Sequence, residues 1–209
     1  MKVTSYLVAF AVSIFVTSAA IGENLIFNGN FEQGNTGFNT GYTYTDTQPK
    51  GLFPGGYYAI GVDPSLYHTG TVSYGDHTSG YGNMMIVNGH TEPGVTLWEQ
   101  TVAISPNTDY EFSLWLSNWD GDPPAQLEYF INDISIGSSF TPDTTGEWIG
   151  FSELWQSGSN TTATIQIVDI ETAWGGNDFA IDDVSFVPEP ASATILILGA
   201  TLIASKRRR

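Results

Sequence analysis

The sequence predicts an all-β domain, a jelly-roll sandwich of two antiparallel sheets. Between Glu23 and Val187 the apolar residues alternate with polar ones or form short runs. Gly, Pro, Asn, Asp and Ser separate these runs, and no stretch has a convincing helical spacing of apolar residues. Short strands joined by turn-rich segments, without helices between them, favour packed antiparallel sheets over a parallel α/β sheet.

The pattern predicts nine strands in this domain. Tyr110, Phe112 and Leu114 share one parity, and Leu127 and Tyr129 repeat it, as expected of strands with one buried face. In chain order the predicted strands are 24–32, 57–60, 83–88, 95–102, 109–117, 126–136, 147–154, 161–169 and 178–187.

The last predicted strand changes its apolar parity at Asp182 and Asp183. Phe179 lies on one parity and Val184 on the other, which predicts a β-bulge between them and one carboxylate turned inward. A buried carboxylate needs a partner, and Lys50 is the only basic residue between residues 23 and 187. The pattern therefore favours a cation as that partner, and calcium fits because it takes carboxylate, carbonyl and water oxygens.

Both ends of the chain carry apolar segments. Residues 1–22 have the layout of a signal peptide: Lys2, an apolar run over 7–16, and small residues that include Ser18 and Ala20. An N-terminal membrane helix or a buried core strand is the alternative. These segments divide the chain into a signal helix (1–22), the sandwich (23–187) and a C-terminal tail (188–209) with a hydrophobic helix.

Composition restricts the partners of the sandwich. Residues 23–187 contain 21 acidic residues against Lys50, a net charge of −20. Such a surface cannot neutralise phosphates, which argues against nucleic acid and anionic membrane surfaces as partners. The chain has no Cys, so disulfides contribute nothing to its stability.

Aromatic residues in turn-rich segments are the candidate carbohydrate-binding residues. They include Tyr57 and Tyr58, within a Gly- and Tyr-rich stretch that spans residues 34–82. Exposed rings of this kind can stack on sugar rings, although they can equally cover the sandwich edges or fill the sheet interface. Trp115 has the parity opposite to the buried row of its strand, and Trp119 and Trp174 lie beside turn residues.

The C-terminal tail resembles the PEP-CTERM sorting signal. It consists of Pro188, Glu189 and Pro190, an apolar segment over 191–205, and a basic end that includes Arg207, Arg208 and Arg209. The resemblance implies an exported protein of a Gram-negative bacterium. Its partner would be an exosortase-type membrane protease or transpeptidase that reads the tail, which spans the membrane at least transiently. The sequence leaves open whether the tail is cleaved or retained, and a plain anchor is the alternative.

The sandwich resembles galactose-binding-like jelly rolls of carbohydrate-binding modules. The resemblance rests on the opening 24–32 with Gly37 and Phe38, on the final strand 177–186, and on two segments between them. In related modules a structural calcium is held by the first-strand Glu and a last-strand Asp, which implies Glu32 and Asp182 here, with Asp183 as a neighbour. The alternative is that these carboxylates accept backbone N–H bonds.

No nucleophile elbow or phosphate-binding loop is present in the sequence. The sequence therefore predicts a non-catalytic surface or matrix protein that binds extracellular polysaccharide. An acidic structural matrix protein without glycan specificity and a polysaccharide-active enzyme are the alternatives.

Overall fold

Ten strands form most of the regular structure in the computed structural model, which describes residues 22–69, 71–121 and 123–189. A 3₁₀ turn over Pro64–Leu66 is the helical element of these residues, and no helix among them is long and apolar enough to span a membrane. The predicted terminal segments, including Pro190 and Arg207, Arg208 and Arg209, lie outside the described residues. The strands are β1 (Thr43–Tyr44), β2 (Tyr57–Gly61), β3 (Met84–Asn88), β4 (Thr96–Ala103), β5 (Asp109–Asp120), β6 (Gln126–Ile131), β7 (Ile134–Phe140), β8 (Trp148–Gln156), β9 (Thr162–Asp169) and β10 (Asp178–Pro188).

The strands form two sheets, which confirms the predicted all-β sandwich. One sheet has six strands in the order β1-β2-β3-β10-β5-β8, and the other has four in the order β4-β9-β6-β7. All neighbours are antiparallel except β1 and β2. The main core contains Phe112 and Leu114 from β5 and Leu127 and Tyr129 from β6, each fully buried. The period of two in both strands therefore marks their inward faces.

The predicted bulge in the last strand is present. Asp182 pairs with Trp115 and Ser185 pairs with Ser113, so two residues of β10 oppose one residue of β5. Asp183, one of the two, has a positive φ of 49°. The extra residue restores the apolar residues after the bulge to the side of the main core.

The predicted first strand is wrong, because residues 24–32 form turns instead. Asn28 and Phe31 have positive φ values of 56° and 55°. The Asn28 amide donates to the carbonyls of Gly34 and Thr36, at 2.9 and 2.8 Å, so side-chain hydrogen bonds replace a strand ladder. Phe31 is nevertheless fully buried in the main core.

The predicted strand 126–136 is a hairpin of two strands. Asn132 and Asp133, between β6 and β7, have positive φ values of 51° and 63°. Positive φ at both central residues is the requirement of the type I′ turn, which suits the twist of paired strands. The short strand β1 was also missed by the sequence pattern, since only Thr43 and Tyr44 form it.

A second apolar cluster covers the outer face of the six-stranded sheet, the face turned away from the main core. We call the connection between β2 and β3, residues 62–69 and 71–83, the roof. Tyr67 of the roof packs with Trp119, and Tyr74 joins the cluster at its edge. The sheet is therefore buried on both sides over much of its area. The buried members are Leu52, Ala59, Tyr67, Met84, Ile86, Trp119 and Ala180.

Candidate carbohydrate-binding surface

The bulge of β10 holds the roof in place through two adjacent carboxylates. Asp182 is fully buried, and its Oδ2 accepts the backbone N–H groups of His77 and Thr78 at 2.9 and 3.2 Å. Asp183 Oδ2 lies 2.7 Å from His77 Nδ1, and Asp183 Oδ1 accepts the Thr78 hydroxyl at 2.6 Å. Hydrogen bonds with charged acceptors are stronger than neutral ones, so this contact fixes the roof to the sheet.

Burial decides the protonation of Asp182. Removal from water, with a smaller contribution from the neighbouring charge of Asp183, raises the pKa of Asp182 to about 7. The backbone N–H groups of Asp183, Thr78 and His77 act in the opposite direction. The carboxyl group therefore titrates near neutral pH.

The residues predicted to hold calcium accept hydrogen bonds from the backbone. Asp182 Oδ1 accepts the N–H of Asp183 at 2.8 Å, and Glu32 Oε1 accepts the N–H of Asn83 at 2.9 Å. These contacts agree with the alternative expectation, in which the carboxylates accept backbone N–H bonds. Within residues 22–69, 71–121 and 123–189, no group of three or more His, Cys, Asp or Glu side chains is arranged to hold a metal ion. Calcium at Glu32, Asp182 and Asp183 stays a prediction.

Trp115 lies on the outer face between the roof and β8. The rings of Trp115 and His77 are stacked, with centroids 3.7 Å apart and an angle of 14°. A β-carbon added at Gly150 would lie 3.5 Å from three atoms of the indole, so Gly150 also lies close to the ring. Trp115 is half-buried between these neighbours.

A shallow depression of about 330 Å³ is lined in part by Trp115. Its outward side chains are Trp115 and the hydroxyls of Ser113 and Ser152, which lie opposite each other on β5 and β8. An indole with two hydroxyls beside it suits a neutral, hydroxyl-rich ligand.

Two of the predicted carbohydrate-binding residues are buried. Trp119 is 1% exposed, and its Nε1 donates to the carbonyl of Phe179 at 2.8 Å. Tyr58 is 3% exposed, and its hydroxyl donates to Asn35 Oδ1 at 2.7 Å. Tyr57 is half-buried at the edge of the second cluster. Neither Trp119 nor Tyr58 can offer a ring face to a sugar, because each packs in a core.

Trp174 is the exposed member of the predicted set, with 79% of its surface accessible. It lies in the loop between β9 and β10, whose backbone is held by side chains. Asp169 Oδ1 accepts the N–H of Glu171 at 3.2 Å, and the Asn177 amide donates to Asp169 Oδ2 and to the Glu171 carbonyl, both at 2.9 Å. Glu171 Oε1 accepts the N–H of Ala173 at 3.0 Å. The exposed ring is thus presented by a loop with a defined backbone.

The structure does not bring the predicted residues into one site. Trp174 precedes the start of β10 at Asp178, whereas Trp115 opposes Asp182 further along the same strand. His77 contacts both Trp115 and Asp183, and the sequence analysis did not identify it as part of the site. A separation of 106 residues between His77 and Asp183 explains why no local spacing could indicate this contact.

Comparison with known proteins identifies the fold through solved structures. No family model matches the chain, and no curated protein matches its sequence. The Stig cyclase Fisc from Fischerella sp. TAU is 17% identical with a TM-score of 0.55, over 82% of this chain and 100% of that chain. TmCBM61, solved with β-1,4-galactotriose, is 16% identical with a TM-score of 0.52, over 80% and 100%. The CBM22-1 xylan-binding domain of Paenibacillus barcinonensis Xyn10C is 14% identical with a TM-score of 0.50, over 83% and 99%. The chain therefore shares the sandwich fold of carbohydrate-binding modules and of a cyclase.

Proposed function

We propose that this chain is an exported, non-catalytic protein that binds a neutral extracellular polysaccharide, and that residues 188–209 direct its sorting by an exosortase-type enzyme. Two of the similar solved structures, TmCBM61 and the CBM22-1 domain, are carbohydrate-binding modules by name. The net charge of −20 over residues 23–187 favours uncharged polymers over anionic ones, because like charges repel.

The exposed ring of Trp174 carries the binding proposal. A Trp with 79% of its surface accessible is unusual on a folded domain, since large apolar rings are mostly buried. Its loop is held by Asp169 and Asn177, so little conformational entropy is lost when a ligand packs against the ring. Aromatic rings presented in this way are typical anchors of binding surfaces.

Replacing Trp174 with Ala is expected to weaken polysaccharide binding by about 30-fold, because truncating an aromatic anchor costs about 2 kcal/mol or more. The measurement is affinity electrophoresis in gels that contain xylan, β-1,4-galactan or another neutral polymer. The unmodified protein should be retarded by at least one polymer, and the Trp174→Ala variant should migrate as in an empty gel.

Tyr81→Ala provides the matched control. Tyr81 is 89% exposed and lies in the roof, a different segment from the loop between β9 and β10. Its removal should leave retardation unchanged. Equal loss of binding in both variants, or full binding by Trp174→Ala, would contradict the assignment of the ligand to Trp174.

The two alternatives give different results with the same samples. An acidic matrix protein without glycan specificity would migrate freely in every neutral gel. A polysaccharide-active enzyme would release reducing ends from a polymer that retards it. The similarity to a cyclase concerns the fold alone, because one fold serves proteins of different function. The release of reducing ends therefore separates a polysaccharide-active enzyme from a non-catalytic binding protein.

The proposed sorting signal begins at the last strand of the sandwich. Pro188 ends β10 opposite Tyr110, and the N–H of Glu189 donates to the Asp109 carbonyl at 2.9 Å. In a bacterium that carries an exosortase, Glu189→Ala combined with Pro190→Ala is expected to leave the full-length chain in the cytoplasmic membrane. Immunoblotting of membrane, envelope and medium fractions measures this.

Pro106→Ala is the control for the sorting experiment, since Pro106 lies in the exposed turn before β5. Its distribution should match that of the unmodified chain. An unchanged distribution of the Glu189→Ala and Pro190→Ala variant would contradict the sorting role, and the tail would then be a plain anchor.

A further inference from the structure

Three oxygen-bearing side chains form a row across adjacent strands near the start of β10. Asp178 pairs with Asn88 of β3 on one side and with Asp120 of β5 on the other. Residues directly opposite each other in antiparallel strands face the same side, with Cβ atoms about 5 Å apart. β5 has one extra residue at this point, because Phe179 pairs with Asn118 whereas Asp178 pairs with Asp120. The pairing therefore places the two carboxylates and the amide at neighbouring positions of three adjacent strands.

Asp178 lacks a hydrogen-bond partner for one of its oxygens. The residue is 6% exposed, and its Oδ1 is buried without a partner among the described residues. A buried carboxylate without a partner is costly, and a second carboxylate beside it increases the cost. Burial, followed by the charge of Asp120 and then that of Asp169, raises the pKa of Asp178 to about 8.

Lys50 is the only Lys or Arg between residues 23 and 187. Basic side chains therefore offer little positive charge to balance the carboxylates of this row. What the row offers is a set of oxygen atoms, the preferred ligands of hard divalent cations. Calcium takes six to eight oxygens and accepts carbonyls and water among them, so water would complete the ligand shell around two carboxylates and an amide.

We propose that Asp178 and Asp120, with the amide oxygen of Asn88, bind a divalent cation of the calcium type. This position is distinct from the one predicted at Glu32 and Asp182, because Asp182 lies further along β10 beneath the roof. The cation would join the ends of β3, β10 and β5. It would also lie next to Asn177, whose side chain holds the loop that presents Trp174.

The test is thermal unfolding of the full chain in mild detergent, with calcium chloride or with excess EDTA. A ligand that binds only the folded state raises the midpoint, by roughly 5 to 10 °C at a calcium concentration about 100 times Kd. Asp178→Asn and Asp120→Asn should each abolish the shift. Terbium luminescence gives a second readout, because Trp119 lies next to Asp120 and can sensitise the ion.

Two further variants decide where a cation binds. Asp109→Asn changes an exposed carboxylate of the same strand and should retain the full calcium shift. Glu32→Gln should also retain it. No calcium response in the unmodified chain would overturn the proposal, since a proton alone would then neutralise Asp178. The proposal would also be overturned if Glu32→Gln abolished the calcium-dependent rise of the unfolding midpoint while Asp178→Asn and Asp120→Asn retained it.

Discussion

Replacing Trp119 with Ala is expected to destabilise the sandwich by about 3 to 5 kcal/mol, the usual cost of removing a large buried ring. Trp119 is 1% exposed, packs with Leu52 and Ile86 in the second apolar cluster, and donates its Nε1–H to the Phe179 carbonyl. Removal of the ring leaves a cavity beneath the roof and an acceptor without its donor. Urea unfolding followed by circular dichroism measures the loss.

Trp119→Phe separates the two contributions of the side chain. It keeps most of the buried volume and loses the hydrogen bond, so we expect a smaller loss of about 1 to 2 kcal/mol. Trp174→Ala should change stability by less than about 0.5 kcal/mol, because that ring is exposed. A loss below about 1 kcal/mol for Trp119→Ala would show that the roof does not pack as a core.

The sandwich could be predicted because strand faces are recorded in the period of the sequence. Phe112 and Leu114 alternate with polar residues, and the sheet buries one of these two sets. The bulge at Asp183 was predictable for the same reason, since a change of parity within one strand requires an extra residue. Both inferences depend on neighbouring residues alone.

Elements that depend on side-chain hydrogen bonds or distant contacts could not be predicted in this way. The segment 24–32 has apolar residues at strand spacing, yet the Asn28 amide bonds to local carbonyls and forms a turn. Trp119 lies beside Asp120, like a turn residue, but the roof covers it. Its burial depends on Tyr67 and Leu52, which are more than 50 residues away in the sequence.

The candidate site was predicted in part. Trp174 is exposed as its Gly175 neighbour indicated, because the loop between β9 and β10 projects it from the sheet. Trp115 has the outward parity that was predicted, but the His77 ring stacks on it and Gly150 lies close to it. Parity reports which side of a strand a residue is on, and it carries no information about what a distant loop places there.

Three buried carboxyl groups make the stability of the domain depend on pH. Burial raises the pKa of Asp169 to about 7, that of Asp178 to about 8 and that of Asp182 to about 7. In the unfolded chain each has a pKa of about 3.9, so the folded state binds more protons between about pH 4 and pH 8. Stability is therefore highest near pH 4, falls as the pH rises through the window, and levels off above about pH 8, where the carboxyl groups are ionised in both states.

Between pH 8 and pH 6 we expect the free energy of unfolding to increase by about 2 to 5 kcal/mol, since a group that titrates fully contributes about 1.4 kcal/mol per pH unit. Urea unfolding at half-unit pH steps, with EDTA present so that divalent cations do not compete with protons, measures this.

Relief of repulsion among the 21 acidic residues of 23–187 acts in the same direction, so a variant must isolate the buried groups. Asp182→Asn should lower the slope by roughly a third, because one of three titrating groups is removed. The exposed Asp109→Asn should leave the slope unchanged. Equal slopes in both variants would mean that general surface repulsion, and not the carboxylate held beneath the roof, governs the pH dependence.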